Sequence, residues 1–349
     1  MRPLHSDQPG DERARRSEAE PSPPPSLDTP HPQSDLPDSP QLGNEEPKQP
    51  VKKVKAGRNL PAAIITGVVL GAVILGSLLI QPIVFLGVAG VAVAVGTWEL
   101  ATAMRKAGKN VPVVPLAVGA VIVLALTWFG GGNALMLSIG LVVAALFIWR
   151  LGEGATGYHI DLPASVLVAV YVPFLGGFAM LIASAEDGAW RVIAMLLMVV
   201  LSDTGGYVAG VFFGKHPMAP RISPKKSWEG LFGSVAASSL GGALALWLLF
   251  EVDVWMGLAV GVSIALAGTL GDLTESLIKR DLGIKDMSNL IPGHGGLMDR
   301  LDSILMAAPV AFIWFWYLLG LAGDLCLFES IDSSDLVTQR WEPGTCGGL

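Results

Sequence analysis

The sequence has few charged residues, few cysteines and no excess of positive charge. Charged residues make up 15% of the 349 residues, against about a quarter in typical soluble domains, which argues against an ordinary soluble enzyme. Two cysteines are too few for a secreted disulfide scaffold. A formal net charge of −7 gives no basic footprint for nucleic acid. With 52% hydrophobic residues and a mean hydropathy of +0.55, the composition predicts an integral membrane protein.

A polar segment precedes the apolar part of the chain. Residues 1–59 contain 12 of the 24 prolines among Ser, Asp, Glu and Gln, a composition that cannot bury enough apolar surface to offset the entropy of ordering. We predict a disordered, Pro-rich cytoplasmic tail, either a passive solvated arm or a partner-binding segment. It is not a signal peptide, because no apolar core follows its early arginines at the right distance.

The rest of the chain carries nine apolar runs near the roughly 20 residues that a helix needs to cross a bilayer. They are residues 60–80, 82–104, 111–129, 133–149, 164–184, 190–213, 230–250, 255–271 and 304–323. Glu99, Asp203 and Asp272 interrupt the second, sixth and eighth runs. The pattern predicts an all-α polytopic membrane protein with about nine transmembrane helices over residues 60–323 and a short C-terminal tail over 324–349.

The basic residues give this topology an orientation. With the N-terminus in the cytoplasm, the inner loops receive 12 of the 14 Lys and Arg residues that follow the tail, as the positive-inside rule requires. The polar sites then face the cytoplasm. Cys326 and Cys346 fall after the last run, where they either pair or remain free thiols.

Polar residues gather in three places. The first is the segment Ser202–Tyr207, in which Asp203 either serves function or makes a helix–helix hydrogen bond beside small residues. The second is the loop 213–230, which contains four Lys or Arg residues and two hydroxyls. It suits phosphate, although the positive-inside rule alone would also place lysines there.

The third place, residues 271–302, combines many carboxylates with basic residues. Asp272, Glu275, Ser276 and Lys279 share one face at helical spacing, and Asp299 and Asp302 are three positions apart. Two helices that bring carboxylates together form an oxygen-ligand site for a hard cation such as Mg²⁺. The alternative is a salt-bridged loop, but the density of charge favours a cytoplasm-facing, metal-dependent site for a phosphorylated substrate.

The run from Ser276 to Asp302 resembles the signature of the phosphatidate cytidylyltransferases. The signature, Ser-x-aliphatic-Lys-Arg, four residues, Lys-Asp, and then His-Gly-Gly-x-x-Asp-Arg-x-Asp, is matched at every polar position. The segment Ser-Pro-Lys-Lys-x-Trp-Glu-Gly upstream is also similar to that of the family, with Ser227 where threonine is common. Gly206 stands before Tyr207 where alanine is expected.

The resemblance implies the Mg²⁺-dependent reaction of CTP with phosphatidate to give CDP-diacylglycerol and pyrophosphate. It implies an all-helical membrane domain with a polar cavity, a homodimer in the plasma membrane, and a two-metal centre in which K⁺ is a candidate for the second ion. Asp272 and Asp299 correspond to the metal ligands. The expected catalytic residues are Asp272, Asp299, Asp302, Lys285 and Asp286. The expected substrate-binding residues are Ser223, Lys225, Lys226, Ser276, Lys279, Arg280, His294 and Arg300.

Some roles and two rival functions stay open. His294 could donate to the leaving pyrophosphate or cap the turn. A CDP-alcohol phosphotransferase should show an Asp-Gly-x-x-Ala-Arg run, which this chain lacks. A transporter should spread polar residues through the bilayer depth and repeat between halves, whereas the charges here gather at one face.

Overall fold

The computed structural model describes residues 60–154, 156–288, 290 and 295–320, with only the backbone described for residues 60–66 and 68. The two predicted tails, both cysteines and His294 lie outside the described residues. The helices are α1 Leu60–Ile80, α2 Pro82–Lys106, α3 Val113–Glu153, α4 Tyr158–Ala169, α5 Leu175–Ala183, α6 Gly188–Phe213, α7 Trp228–Phe250, α8 Val254–Asp281 and α9 Met298–Leu319. A π-helical segment, Val170–Phe174, joins α4 to α5, and two short strands, β1 Pro217–Ala219 and β2 Ser223–Ser227, lie between α6 and α7.

The fold is that of an all-α polytopic membrane protein, as predicted. Within the described residues, seven helical segments are long and apolar enough to cross a membrane. They are α2, α3, the continuous segment Tyr158–Ala183, and α6 to α9. At the end of α1, Val69–Ile80 forms a shorter apolar helix. The predicted number of about nine transmembrane helices is therefore not confirmed.

The helix α3 reverses direction at Gly131. This residue has a φ of 63° and a ψ of −156°, a conformation that glycine adopts without the steric cost of a Cβ. A Cβ built on Gly119 would lie 3.3 Å from Cγ2 of Val142, so the two arms of α3 pack side by side. The side chains of Asn110 and Glu153, which lie just before α3 and at its end, form a 2.9 Å hydrogen bond. The gap between the third and fourth apolar runs coincides with this reversal.

The last four helices bring their polar ends together. The polar residues lie near the C-terminal ends of α6 and α8 and at the N-terminal starts of α7 and α9. Between α6 and α7, the strands β1 and β2 pair antiparallel, with Pro217 opposite Ser227 and Ala219 opposite Ser223. The hydroxyl of Ser227 then accepts a 3.1 Å hydrogen bond from the Gly230 N–H and caps α7. The basic loop of the sequence is thus a short hairpin fixed against the helix ends.

Small residues allow α6 and α7 to approach closely. A Cβ on Gly205 would lie 2.6 Å from the Gly233 carbonyl oxygen, and a Cβ on Gly233 would lie 2.6 Å from that of Gly205. The hydroxyl of Ser234 donates a 2.8 Å hydrogen bond to the Ser202 carbonyl. This contact is the helix–helix packing that the Ser202–Tyr207 segment suggested, and it places Asp203 beside α7.

Candidate active site

A polar cavity of about 480 Å³ lies where these four helix ends meet. Its walls come from α6, the β-hairpin, α7, α8, the segment after α8, and α9. Among the described residues, six carboxylates and four basic side chains line it: Asp203, Asp272, Glu275, Asp286, Asp299 and Asp302 with Lys225, Lys226, Lys279 and Arg300. The second and third polar segments of the sequence therefore form one site, joined by Asp203 from the first.

The α8 wall carries charges at positions separated by three and four residues. Asp272, Glu275 and Lys279 line the cavity, as their helical spacing predicts. Glu275 is only 1% exposed. Ser276, which we expected on the same face, does not line the cavity of the described residues.

Lys279 links the α8 wall to the α9 wall. Its ammonium lies 2.7 Å from Oε2 of Glu275 and 2.9 Å from Oδ1 of Asp299. The exposed fractions of the three side chains are 16%, 1% and 9% in the order Lys279, Glu275 and Asp299. One ammonium thus pairs with two carboxylates in a place that water barely reaches.

Lys226 forms a similar link from the hairpin to α8. Its Nζ atom lies 2.6 Å from Oδ2 of Asp272 and donates a longer hydrogen bond of 3.5 Å to the Thr269 carbonyl. The Asp272 side chain is 39% exposed, so it is the more accessible of the two predicted metal ligands.

The turn before α9 fixes the second predicted metal ligand. Oδ2 of Asp299 accepts a 2.6 Å hydrogen bond from the Gly296 N–H and one of 3.4 Å from the Met287 N–H. Gly295, before it, has a φ of +85°, the left-handed conformation that favours glycine. The Gly-Gly pair therefore holds the chain against the Asp299 carboxylate.

A close approach of α8 and α9 brings a third carboxylate into the cavity. A Cβ on Gly271 would overlap the carbonyl oxygen of Asp302, so any larger residue would push the two helices apart. The Asp302 side chain is 7% exposed and accepts a 2.7 Å hydrogen bond from the Ser303 N–H. Because Asp272 follows Gly271 in α8, this close approach holds Asp302 beside Asp272.

The structure separates the remaining predicted site residues into two groups. Ser223, Lys225, Asp286 and Arg300 line the cavity. Lys285 and Arg280 are described but are not part of its lining, and Nε of Arg280 instead donates a 3.3 Å hydrogen bond to the Ile222 carbonyl.

Two residues outside the sequence motif support the site. Glu99 of α2 is buried and accepts hydrogen bonds from the N–H groups of Leu297 and Met298. Tyr171, in the π-helical segment, donates a 3.2 Å hydrogen bond to the Gly271 carbonyl. The interruption of an apolar run by Glu99 was a signal in the sequence, but nothing marked Tyr171.

The donor set of the cavity fits a hard divalent cation. Carboxylate oxygens are the ligands that Mg²⁺ prefers, and Oε1 of Glu275 is buried with no hydrogen-bond partner among the described residues. In that part of the chain, no three carboxylate, imidazole or thiol groups already converge as a metal site. Instead, Asp272 and Asp299 form ion pairs with Lys226 and Lys279.

These features define a helical membrane protein with a charged cavity suited to phosphate groups and a divalent cation. The chain matches the cytidylyltransferase family over residues 61–318, and it belongs to that family. It is therefore a membrane-embedded nucleotidyltransferase, and the resemblance seen in the sequence is confirmed.

Several curated relatives are similar over most of their length. Proteins named phosphatidate cytidylyltransferase from Mycobacterium bovis and Mycobacterium leprae are 42% and 41% identical over 272 and 274 residues. These alignments cover 74% of this chain and 89% and 88% of the relatives. A protein of the same name from Pseudomonas aeruginosa is 35% identical over 282 residues, which cover 74% of this chain and 97% of the relative.

Proposed function

We propose that this protein is a phosphatidate cytidylyltransferase that converts CTP and phosphatidate to CDP-diacylglycerol and pyrophosphate. The observation that carries the proposal is the cavity in which Lys226 and Lys279 face Asp272 and Asp299, in a chain whose relatives bear this name. A nucleotide triphosphate needs cationic donors, and a phosphoryl-transfer site also needs carboxylates that can hold a metal.

The reaction needs alignment more than a base. An oxygen of the phosphatidate phosphate forms a bond to the α-phosphorus of CTP, and the bond from that phosphorus to the oxygen bridging to the β-phosphorus breaks. Pyrophosphate leaves with that bridging oxygen. Because the attacking phosphate is already an anion, the barrier comes from bringing two anions together in line, which positioned cations lower.

The lining residues have distinct roles in this scheme. Lys225, Lys226, Lys279 and Arg300 bind the triphosphate and the lipid head group, and Ser223 adds a hydroxyl donor. Asp272 and Asp299 would hold Mg²⁺, which supplies charge neutralisation and orientation of the phosphate oxygens. Asp302 and Asp286 support the metal-binding carboxylates.

The predicted residues beyond the lining keep proposed roles at its edge. Lys285, Arg280 and Ser276 are assigned to the head group of the incoming substrate, and His294 to the pyrophosphate or to the turn that contains it. We assign the cavity to the cytoplasmic face of the plasma membrane, because the predicted topology places 12 of the 14 Lys and Arg residues that follow the tail on that side. A homodimer and a second metal ion such as K⁺ complete the proposal.

A turnover assay tests the function. Purified protein in detergent receives phosphatidate, labelled CTP and Mg²⁺. We expect label in a lipid-soluble product, one pyrophosphate per turnover, loss of activity with EDTA and recovery with added Mg²⁺. Absence of product from folded protein would refute the proposed reaction.

Variants of the two aspartates test the assigned roles. Asp272→Asn and Asp299→Asn keep the side-chain shape but lose the charge, and each should lower turnover by about 10²–10³-fold, as for removal of one electrostatic group from an active site. Asp281→Asn is the matched control, because its side chain is 70% exposed and pairs with Lys109 away from the cavity. Full activity and unchanged Mg²⁺ dependence in either of the first two variants would exclude that residue as a metal ligand.

A further inference from the structure

Glu99 is a carboxylate buried inside an apolar helix. It lies in α2, seven residues before the end of that helix at Lys106, and is 1% exposed. An ionisable group in a membrane segment is costly to bury, and such groups usually have a function. Glu99 does not line the described cavity, so any role in the reaction must act through other residues.

Within the described part of the chain, the side-chain hydrogen bonds of Glu99 reach the segment that leads into α9. Its Oε1 accepts a 2.5 Å hydrogen bond from the Ser288 hydroxyl and a 3.1 Å hydrogen bond from the Leu297 N–H. Its Oε2 accepts a 2.7 Å hydrogen bond from the Met298 N–H. The first N–H groups of a helix have no acceptor within the helix, and a carboxylate there also interacts favourably with the helix dipole. A side chain about 200 residues away in sequence thus caps α9.

The same turn lies between Glu99 and the predicted metal ligand. A Cβ built on Gly296 would be 2.8 Å from Oε2 of Glu99 and 3.1 Å from Oδ2 of Asp299. The Gly296 N–H already donates to Asp299. Glu99 and Asp299 therefore hold one glycine turn from its two sides, and a shift of that turn would move Asp299 with it.

We propose that Glu99 is a positioning residue of the cytidylyltransferase site, an inference that rests on the proposed function. Its carboxylate fastens the first turn of α9 to α2 and thereby sets the place of Asp299 and Arg300 in the cavity. Misplacement of a reacting group by about 1 Å can cost roughly 100-fold in rate. Glu99 lies outside the lining of the cavity and acts by positioning Asp299 and Arg300. Loss of its hydrogen bonds should therefore lower kcat and change the Mg²⁺ dependence of the reaction.

The test compares Glu99→Gln with Glu153→Gln. Glutamine keeps the size of the side chain, but its amide N–H₂ group faces one of the groups that now donate a hydrogen bond to Glu99. Glu153 is the matched control, since it also accepts hydrogen bonds from several partners, Asn110, Trp149 and Arg150, at the far end of α3. We expect Glu99→Gln to lower kcat by about 10–100-fold and to raise the Mg²⁺ concentration for half-maximal activity. The control should change neither.

Hydrogen exchange separates positioning from general stability. Peptides that cover residues 297–302 should exchange faster in Glu99→Gln, while those from α6 and α7 and the unfolding temperature stay close to wild type. Wild-type kcat in this variant, or unchanged exchange in the α9 peptides, would overturn the proposal. An equal loss of protection in every helix would also overturn it, because Glu99 would then serve only stability.

A second variant keeps the test decisive if Glu99→Gln does not fold. Ser288→Ala removes one donor to Glu99 without creating a buried charge and should give a smaller change in the same direction in both kcat and exchange. No change in either would count against the proposal. The exchange measurement needs no substrate. If wild-type protein makes no CDP-diacylglycerol, faster exchange confined to the α9 peptides would still support the positioning by Glu99, and only the proposed reaction would fail.

Discussion

Lys279→Met should destabilise the protein strongly, because it leaves two carboxylates without their shared cation. Glu275 and Asp299 are 1% and 9% exposed, and the Lys279 ammonium lies within 3 Å of both. Breaking a buried ion pair by removing one partner costs about 3–5 kcal/mol, since the remaining charge is neither paired nor hydrated. Lys109→Met is the matched control. Its ion pair with Asp281 spans 3.1 Å, with side chains 24% and 70% exposed, and such surface pairs are worth about 0–1 kcal/mol.

Thermal unfolding in detergent, followed by tryptophan fluorescence, measures these differences. We expect Lys279→Met to have by far the lower midpoint, and the double variant Lys279→Met/Glu275→Gln to recover part of the loss because it removes one unpaired charge. The two residues are in contact, so their effects should be non-additive by about 0.5–3 kcal/mol. The reasoning is wrong if Lys279→Met and Lys109→Met unfold together, or if the double variant is no more stable than Lys279→Met.

Three further predictions concern the scaffold. Gly233→Ala should lose about 1–3 kcal/mol in an unfolding experiment, because the added methyl group meets α6. Gly140→Ala, with nothing within 4 Å of the new Cβ, should be neutral or slightly stabilising, and an equal loss would remove the steric explanation. Tyr171→Phe deletes the hydrogen bond to Gly271 and should cost about 0.5–1.5 kcal/mol, measured by the same melt. Arg150→Met removes a cation that is 1% exposed. It should lower the melting temperature with KM for CTP unchanged, and a large change in KM would show that this region contributes to substrate binding.

Helical periodicity predicted much of the α8 wall, but it does not explain why Ser276 departs from the prediction. With 3.6 residues per turn, adjacent residues point about 100° apart. Asp272, Glu275 and Lys279 fall within one sector of the helix, while Ser276 lies on the other flank of Asp272. Thr269, which precedes Asp272 by three residues and lies on the same flank as Ser276, lines the cavity, whereas Ser276 does not. The direction of a side chain around α8 therefore does not decide alone which residues line the cavity, since the neighbouring elements also limit its extent along the helix.

Contacts between distant segments were beyond sequence reasoning. The polar character of Glu99 was visible, but its partners in the turn before α9 depend on how α2 and α9 pack. The ion pair of Lys226 with Asp272 likewise depends on the hairpin that folds the basic segment over α8. By contrast, the reversal at Gly131 was legible, since a run of three glycines separates two apolar runs.

The ion pairs of the cavity bear on how a nucleotide and a metal enter it. Lys226 pairs with Asp272 and Lys279 pairs with Asp299, so each predicted metal ligand is already ion-paired with a lysine ammonium group. On the proposed mechanism, a triphosphate that takes the lysines would leave the aspartates unpaired, and a metal that takes the aspartates would leave the lysines unpaired. Binding of the triphosphate alone or of the metal alone would therefore leave unpaired charges, which a partly buried site stabilises poorly. Binding of both together would exchange these partners, with Asp272 and Asp299 on the metal and Lys226 and Lys279 on the phosphates, so on the proposed mechanism the geometry favours a nucleotide that arrives with its metal.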